Sequence, residues 1–202
     1  MPNATGGRRG SGGAGADAGD AALVHAAQRG DRQAFGELVS RHARSILRLT
    51  TRMLGPAADV EDVAQEVFVA AFRALPGFQG EAAFSTWLYR IAVNRCRDVL
   101  RARRPSAVSL DDERDAGGWE PQDADTPERG MQQAETASAI ERALDGLPPL
   151  YRESFVLRHI EGLGYEEMSA VLGVGRDTLK MRVYKARTLL AQALSHLHAA
   201  PR

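Results

Sequence analysis

The chain has 202 residues, of which 44% are hydrophobic and 6% aromatic, which suits one ordinary domain or two small helical ones. No apolar run approaches the roughly 20 residues of a membrane span, and the Gly- and Ala-rich start has no apolar signal-peptide core. The single cysteine, Cys96, excludes an internal disulfide framework and a cysteine-based zinc site. The setting expected from these features is the cytoplasm, with no membrane insertion.

Lys+Arg and Asp+Glu number 26 each, so the formal net charge is zero, where a nucleic-acid binder is often basic overall. The charges are sorted along the chain, however. Arg90, Arg95, Arg97, Arg101, Arg103 and Arg104 crowd one stretch, and Arg176, Lys180, Arg182, Lys185 and Arg187 another. Asp111, Asp112, Glu113, Asp115, Glu120, Asp123, Asp125, Glu128 and Glu135 lie between them. Two basic patches divided by an acidic strip say more than the total.

In chain order, residues 1–20 read as a disordered tail, because Gly dominates and little apolar surface is present to offset ordering entropy. From residue 21 to 104 the pattern is helical. Phe35, Leu38, Val39, His42, Ile46 and Leu49 recur at spacings of three and four. Gly55-Pro56 breaks the chain, and Asp59 is suited to N-cap a helix carrying Val60, Val63, Val67, Ala70 and Ala71. After Leu75-Pro76-Gly77 and a loop, Ser85 or Thr86 can cap a last helix through Trp87, Leu88, Ile91, Ala92 and Val99. Residues 105–134 carry Pro, Gly and Asp without an apolar period, which predicts a flexible acidic linker. A second helical block runs over 135–197, and 198–202 form a tail. The fold class is all-α, with two small helical domains.

Three segments carry functional signals. Tyr165–Val174 is a short helix ending at Gly173, followed by a longer helix from Arg176: the helix-turn-helix plan. Leu179, Val183, Ala186 and Leu190 share one face, and Asp177, Lys180, Met181, Tyr184 and Lys185 the other. Cations and an aromatic opposite a core stripe suit a recognition helix in a major groove, against the plainer reading of a solvated surface helix. In Phe84–Arg95 (FSTWLYRIAVNR), aromatics stand beside arginines, and aromatic stacking on unpaired bases is worth about 1–3 kcal/mol per base. Trp87 shares a face with Ile91 and reads as core, while Tyr89, Arg90, Asn94 and Arg97 fall outward. Finally, Asp62, Gln65 and Glu66 occupy one face of an amphipathic helix. Taken alone, that face is a solvated first turn favoured by the helix dipole.

Catalytic residues do not assemble. His25, His42, His159, His196 and His198 are scattered, and the HExxH, P-loop and GxSxG patterns are absent. Neither an enzyme, a metal site nor a cofactor is expected.

The order of these motifs resembles the extracytoplasmic-function (ECF) sigma factors. Asp59–Leu75 (DVEDVAQEVFVAAFRAL) is similar to the polymerase-binding helix of their region 2. Phe84–Asp98 (FSTWLYRIAVNRCRD) is similar to the helix that opens and reads the −10 element. Leu147–Arg187 is similar to region 4, which reads the −35 element. The resemblance spans about residues 21–104 and 135–195. It implies that Asp62, Gln65 and Glu66 meet the β′ clamp helices of core RNA polymerase, with region 4 on the β flap. It implies that the loop Gln79, Gly80, Glu81, Ala82 and Ala83 holds a flipped −10 base, and that Tyr89, Arg90, Asn94, Arg97 and Arg101 follow the strand. Thr178, Lys180, Met181, Tyr184 and Lys185 would face the −35 major groove, with Arg176 and Arg187 on phosphates. An anti-sigma factor packing around the two domains is the further implied partner.

The chain departs from the family at Asp177-Thr178, where Gly-Thr is usual, and at Met181, where a small residue is usual. The alternative to a sigma factor is a stand-alone helix-turn-helix regulator, which would bind duplex DNA without polymerase. An extensive apolar interface between the two helical blocks would count against their free movement on the linker.

Overall fold

The structure, a computed structural model, describes residues 14–55, 59–103 and 131–195, with side chains described from 19 in the first stretch and from 138 in the last. The expected features of 1–13, 104–130 and 196–202, most of the acidic linker among them, lie outside the described residues. Among the described residues there are eight α-helices and no strand.

Four helices build the first unit: α1 (Ala14–Gln28), α2 (Arg32–Leu54), α3 (Val60–Ala74) and α4 (Phe84–Arg103). α2 starts where Asp31 Oδ1 accepts from the backbone N–H of Gln33 (2.9 Å) and Ala34 (3.1 Å), satisfying two of the donors a helix start leaves open. Asp59 caps α3 as its sequence suggested, accepting from the Asp62 N–H at 3.4 Å. α4 begins one residue before Ser85. Its first bond runs from the Trp87 N–H to the Ala83 carbonyl, and Thr86, an expected cap, is buried within the helix.

The boundary at residue 20 is also corrected, since α1 begins at Ala14. Asp20 is 1% exposed. Its carboxylate bonds His42 Nε2 at 2.6 Å and accepts from Arg41 Nη1 at 3.2 Å, both on α2. A carboxylate is buried only when so paired, and this pairing docks a helix that Ala and Gly alone would leave marginal.

The second unit holds α5 (Met131–Gly146), α6 (Pro149–Phe155), α7 (Tyr165–Leu172) and α8 (Arg176–Ala193). α6 runs on into a single π-helical turn, Val156–Ile160. α5 begins four residues N-terminal to the expected start at Glu135. Gly173 ends α7 with φ 72, a left-handed conformation that favours glycine, and Ser169 Oγ ties the turn by donating to the Val174 carbonyl at 2.8 Å.

The two units meet. Val156, Leu157, Leu163, Met168, Val171, Leu172, Leu179 and Val183 belong to the same buried cluster as Leu38, Ile46, Leu49, Val67, Leu88, Ala92 and Val93. α7 packs on α4, and α5 and α6 touch α2. Ala143, Leu144, Leu147, Tyr151, Ala186, Leu190 and Ala193 form a satellite cluster within the second unit. Each fully covered Leu or Met contributes about 1.5–3 kcal/mol relative to exposure. The shared cluster therefore counts against two freely moving blocks, since separation must expose it.

Candidate nucleic-acid interface

The loop between α3 and α4 is anchored from α1. Gln28 Nε2 donates to the carbonyls of Leu75 (3.0 Å) and Phe78 (2.8 Å). Gly80 has φ 75, so the loop turns through a conformation that strains other residues. Gln79, Gly80 and Glu81 are exposed, and Ala82 and Ala83 half-buried.

Cavities flank this loop on both sides. One, of about 540 Å³, lies toward α1 and is bounded by Asp20, His25, Gln28 and the loop. The other, of about 380 Å³, lies toward α4 and is bounded by Phe78, Thr86, Trp87 and Arg90. Trp87 thus departs from the expectation of a plain core residue. It is half-buried and lines a cavity, held by ring contacts to Phe78 (4.9 Å) and Phe84 (5.6 Å) between centroids.

Arg90 and Asn94 are exposed on α4, as expected. Arg101 is exposed beside Asp98, donating at 3.1 Å. Tyr89 and Arg97 do not fall outward. Tyr89 Oη donates to Glu161 Oε2 at 2.7 Å. Burial first, then the Glu161 charge, pushes its phenol well above the usual range. Arg97 donates from Nε to Glu153 Oε2 (2.9 Å) and from Nη2 to Oε1 (2.7 Å). Helical periodicity placed both residues off the region 2 core stripe; α7 packs on α4, and the acids come from α6 and from the residue after the π-helical turn. The acceptors Glu153 and Glu161 carry no signal in the sequence, since they lie 56 and 72 positions from their partners.

Asp62, Gln65 and Glu66 are exposed on α3, with Glu66 paired to Arg95 of α4. Val69 and Phe72 extend that face as exposed apolar side chains, 49% and 47% accessible. Both lie off the apolar face read from the sequence for this helix, and sequence reasoning gave neither of them a role. Phe72 meets Phe35 edge-on at 4.9 Å.

On α8, Leu179, Val183, Ala186 and Leu190 are buried and Thr178, Lys180, Met181, Tyr184, Lys185 and Arg187 exposed, the division the periodicity predicts. Arg176 is exposed and paired with Glu166. Asp177 does not cap α8; Gly175 holds that position. Asp177 accepts from Lys180 Nζ at 2.9 Å, and that cation holds its carboxyl below the usual range. Cys96 is fully buried on α4, and burial pushes its thiol up to about 12. Among the described residues no cluster of three or more metal-ligating side chains forms, and no helix is long and apolar enough to cross a membrane.

The Sigma-70 region 2 family model matches residues 38–105 and the Sigma-70 region 4 model residues 137–190. The chain belongs to the sigma-70 family, in its ECF group. It is 39% identical to the RNA polymerase sigma-H factor of Pseudomonas aeruginosa over 183 residues, 88% of this chain and 95% of that one. It is 38% identical to the ECF RNA polymerase sigma-E factor of Escherichia coli K12 over 173 residues, 83% of this chain and 90% of that one. In three dimensions it resembles CnrH, solved in complex with the cytosolic domain of CnrY. The TM-score is 0.64 at 31% identity, covering 88% of this chain and 97% of CnrH. Matches to both sigma regions leave the stand-alone regulator unsupported, since region 2 has no role in such a protein.

Proposed function

We propose that this sigma factor docks on core RNA polymerase in the cytoplasm through the α3 face, Asp62, Gln65 and Glu66, extended by Val69 and Phe72. With polymerase bound, the loop 79–83 receives a flipped −10 base in one of the two cavities that flank it. Extrusion costs a few kcal/mol of unstacking, which a complementary pocket offsets. Tyr89, Arg90, Asn94, Arg97 and Arg101 then hold the separated strand, by ring stacking and by charge on phosphates. Region 4 lays α8 in the −35 major groove, with Thr178, Lys180, Met181, Tyr184 and Lys185 on base edges and Arg176 and Arg187 on the backbone. The β flap of polymerase carries region 4.

The observation that carries this reading is the division of α8, buried on one face and open on the other, in the same chain as the exposed acid and amide row of α3. The chain acts without covalent chemistry of its own. An anti-sigma factor is its regulatory partner. CnrH is bound by a separate protein's cytosolic domain, and a protein that holds regions 2 and 4 together would block promoter engagement.

Run-off transcription with purified core polymerase on a promoter-fragment library tests the assignment. Initiation should depend on the protein and fall at least tenfold with Gln65→Lys and Glu66→Lys together. Initiation unaffected by those changes would move the polymerase contact elsewhere, and tight duplex binding without polymerase would return the regulator reading.

A further inference from the structure

The loop that the proposed function puts on the −10 base is tied to a helix that the function has not used. α1 ends at Gln28, ahead of the residues matched to region 2, which begin at 38. The Gln28 side chain is half-buried and reaches the start of the loop, where Nε2 donates to the carbonyls of Leu75 at 3.0 Å and Phe78 at 2.8 Å. An amide nitrogen carries two N–H groups, one for each carbonyl, whereas a carboxylate or a thioether of the same length has none to give. Phe78 is where these bonds bear on the site. It lines both cavities that flank the loop, and its ring meets Trp87 at 4.9 Å and Phe84 at 6.0 Å between centroids. α1 docks by other means. Val24 and Ala27 are buried in the core, and Asp20, about two turns back, is held by His42 and Arg41 of α2. The Gln28 amide is thus left over from packing the helix and directed at the loop.

We propose that Gln28 is a positioning residue for −10 recognition. It fixes the backbone at Leu75 and Phe78, and so holds the Phe78 ring and the loop 79–83 in the shape that receives the extruded base. The inference rests on the reading of that loop as the −10 base site. Extrusion gives up stacking, which contacts in a pocket must offset. A loop that became ordered only as the base arrived would lose part of that gain to its own ordering. Gln28 acts through the loop and needs no contact of its own with DNA. α1 thereby joins the promoter-reading part of the protein, with Asp20 fixing the helix and Gln28 transmitting its position.

The test is run-off transcription by the full chain with core polymerase, on the promoter recovered from the fragment library and on its single-base variants across both elements. Gln28→Met and Gln28→Glu each remove the two donors at nearly constant size. Affinity for core polymerase should stay within about twofold, since both changes lie off the α3 face. Helix content by circular dichroism should match the parent. A single wrong base pair should cost the parent about tenfold in initiation. In both variants that penalty should shrink at least fivefold at one −10 position and persist at every −35 position. A −10 penalty retained in both variants would overturn the positioning role. So would a loss spread equally over the two elements, or one accompanied by lost helix content, since either makes Gln28 a support of the fold. A parent with no preference at any −10 position would instead overturn the base-holding loop, and with it the residue that serves it.

Discussion

The two helices assigned to the promoter, α4 and α8, are built alike and left in opposite states. Each has a stripe of buried apolar residues and an opposite row of cations and aromatics. On α8 that row is open: Tyr184 is 65% exposed and Met181 55%. On α4 part of it is covered, with Tyr89 and Arg97 bound to acids of region 4. The difference matches what the proposed function has each helix read. A duplex groove presents itself already formed, so a recognition helix can wait exposed. A single strand exists only once polymerase has opened the promoter, so exposed stacking groups would meet wrong partners first.

The comparison breaks first at the core the two regions share. Met168 of α7 is fully buried in the common cluster, and Met168→Ala should cost about 2–5 kcal/mol. Calorimetry should show one transition for the parent, because the cluster spans both units. Two separated transitions in the parent would mean the regions fold independently.

A smaller, paired effect sharpens it. Tyr184→Ala should leave denaturant stability within about 0.5 kcal/mol, while costing about 1–3 kcal/mol of −35 discrimination in run-off assays on mutated promoters. Tyr89→Phe should do the reverse in the free protein, costing about 1.5–3 kcal/mol of stability through its lost bond to a carboxylate. Equal stability losses at both sites would remove the distinction between an open and a covered helix.

Near neutral pH the smallest effect is at Cys96, whose contribution changes only under alkaline conditions. Burial raises its thiol from 9.0 to about 12. The unfolded chain thus loses its proton first, and stability from this group is full below about 9 and declines as pH rises toward 12. Cys96→Ala should flatten that alkaline slope relative to the parent in urea titrations. A maleimide should label native Cys96 only on global unfolding.

Much of this protein was legible before any coordinates. Periodicity of three and four located the helices after residue 21 and divided α8 correctly, because a helix's apolar stripe is a local property of its own residues. The succession of motifs gave the family. Boundaries failed where tertiary pairing overrode composition. Gly and Ala before residue 20 read as loose chain, yet Asp20 is pinned by His42 and Arg41.

The sequence by itself determined the helical class, the two sigma regions and the residue types each helix turns away from its own core. Only the tertiary structure decided that region 4 lies on α4, that Trp87 walls a cavity and that Val69 and Phe72 stand uncovered. It alone put Glu153 and Glu161 on Arg97 and Tyr89. A periodic pattern says which side of a helix is apolar and not which other helix covers it. Ion pairs between residues tens of positions apart depend on how whole elements dock, and no local pattern encodes that.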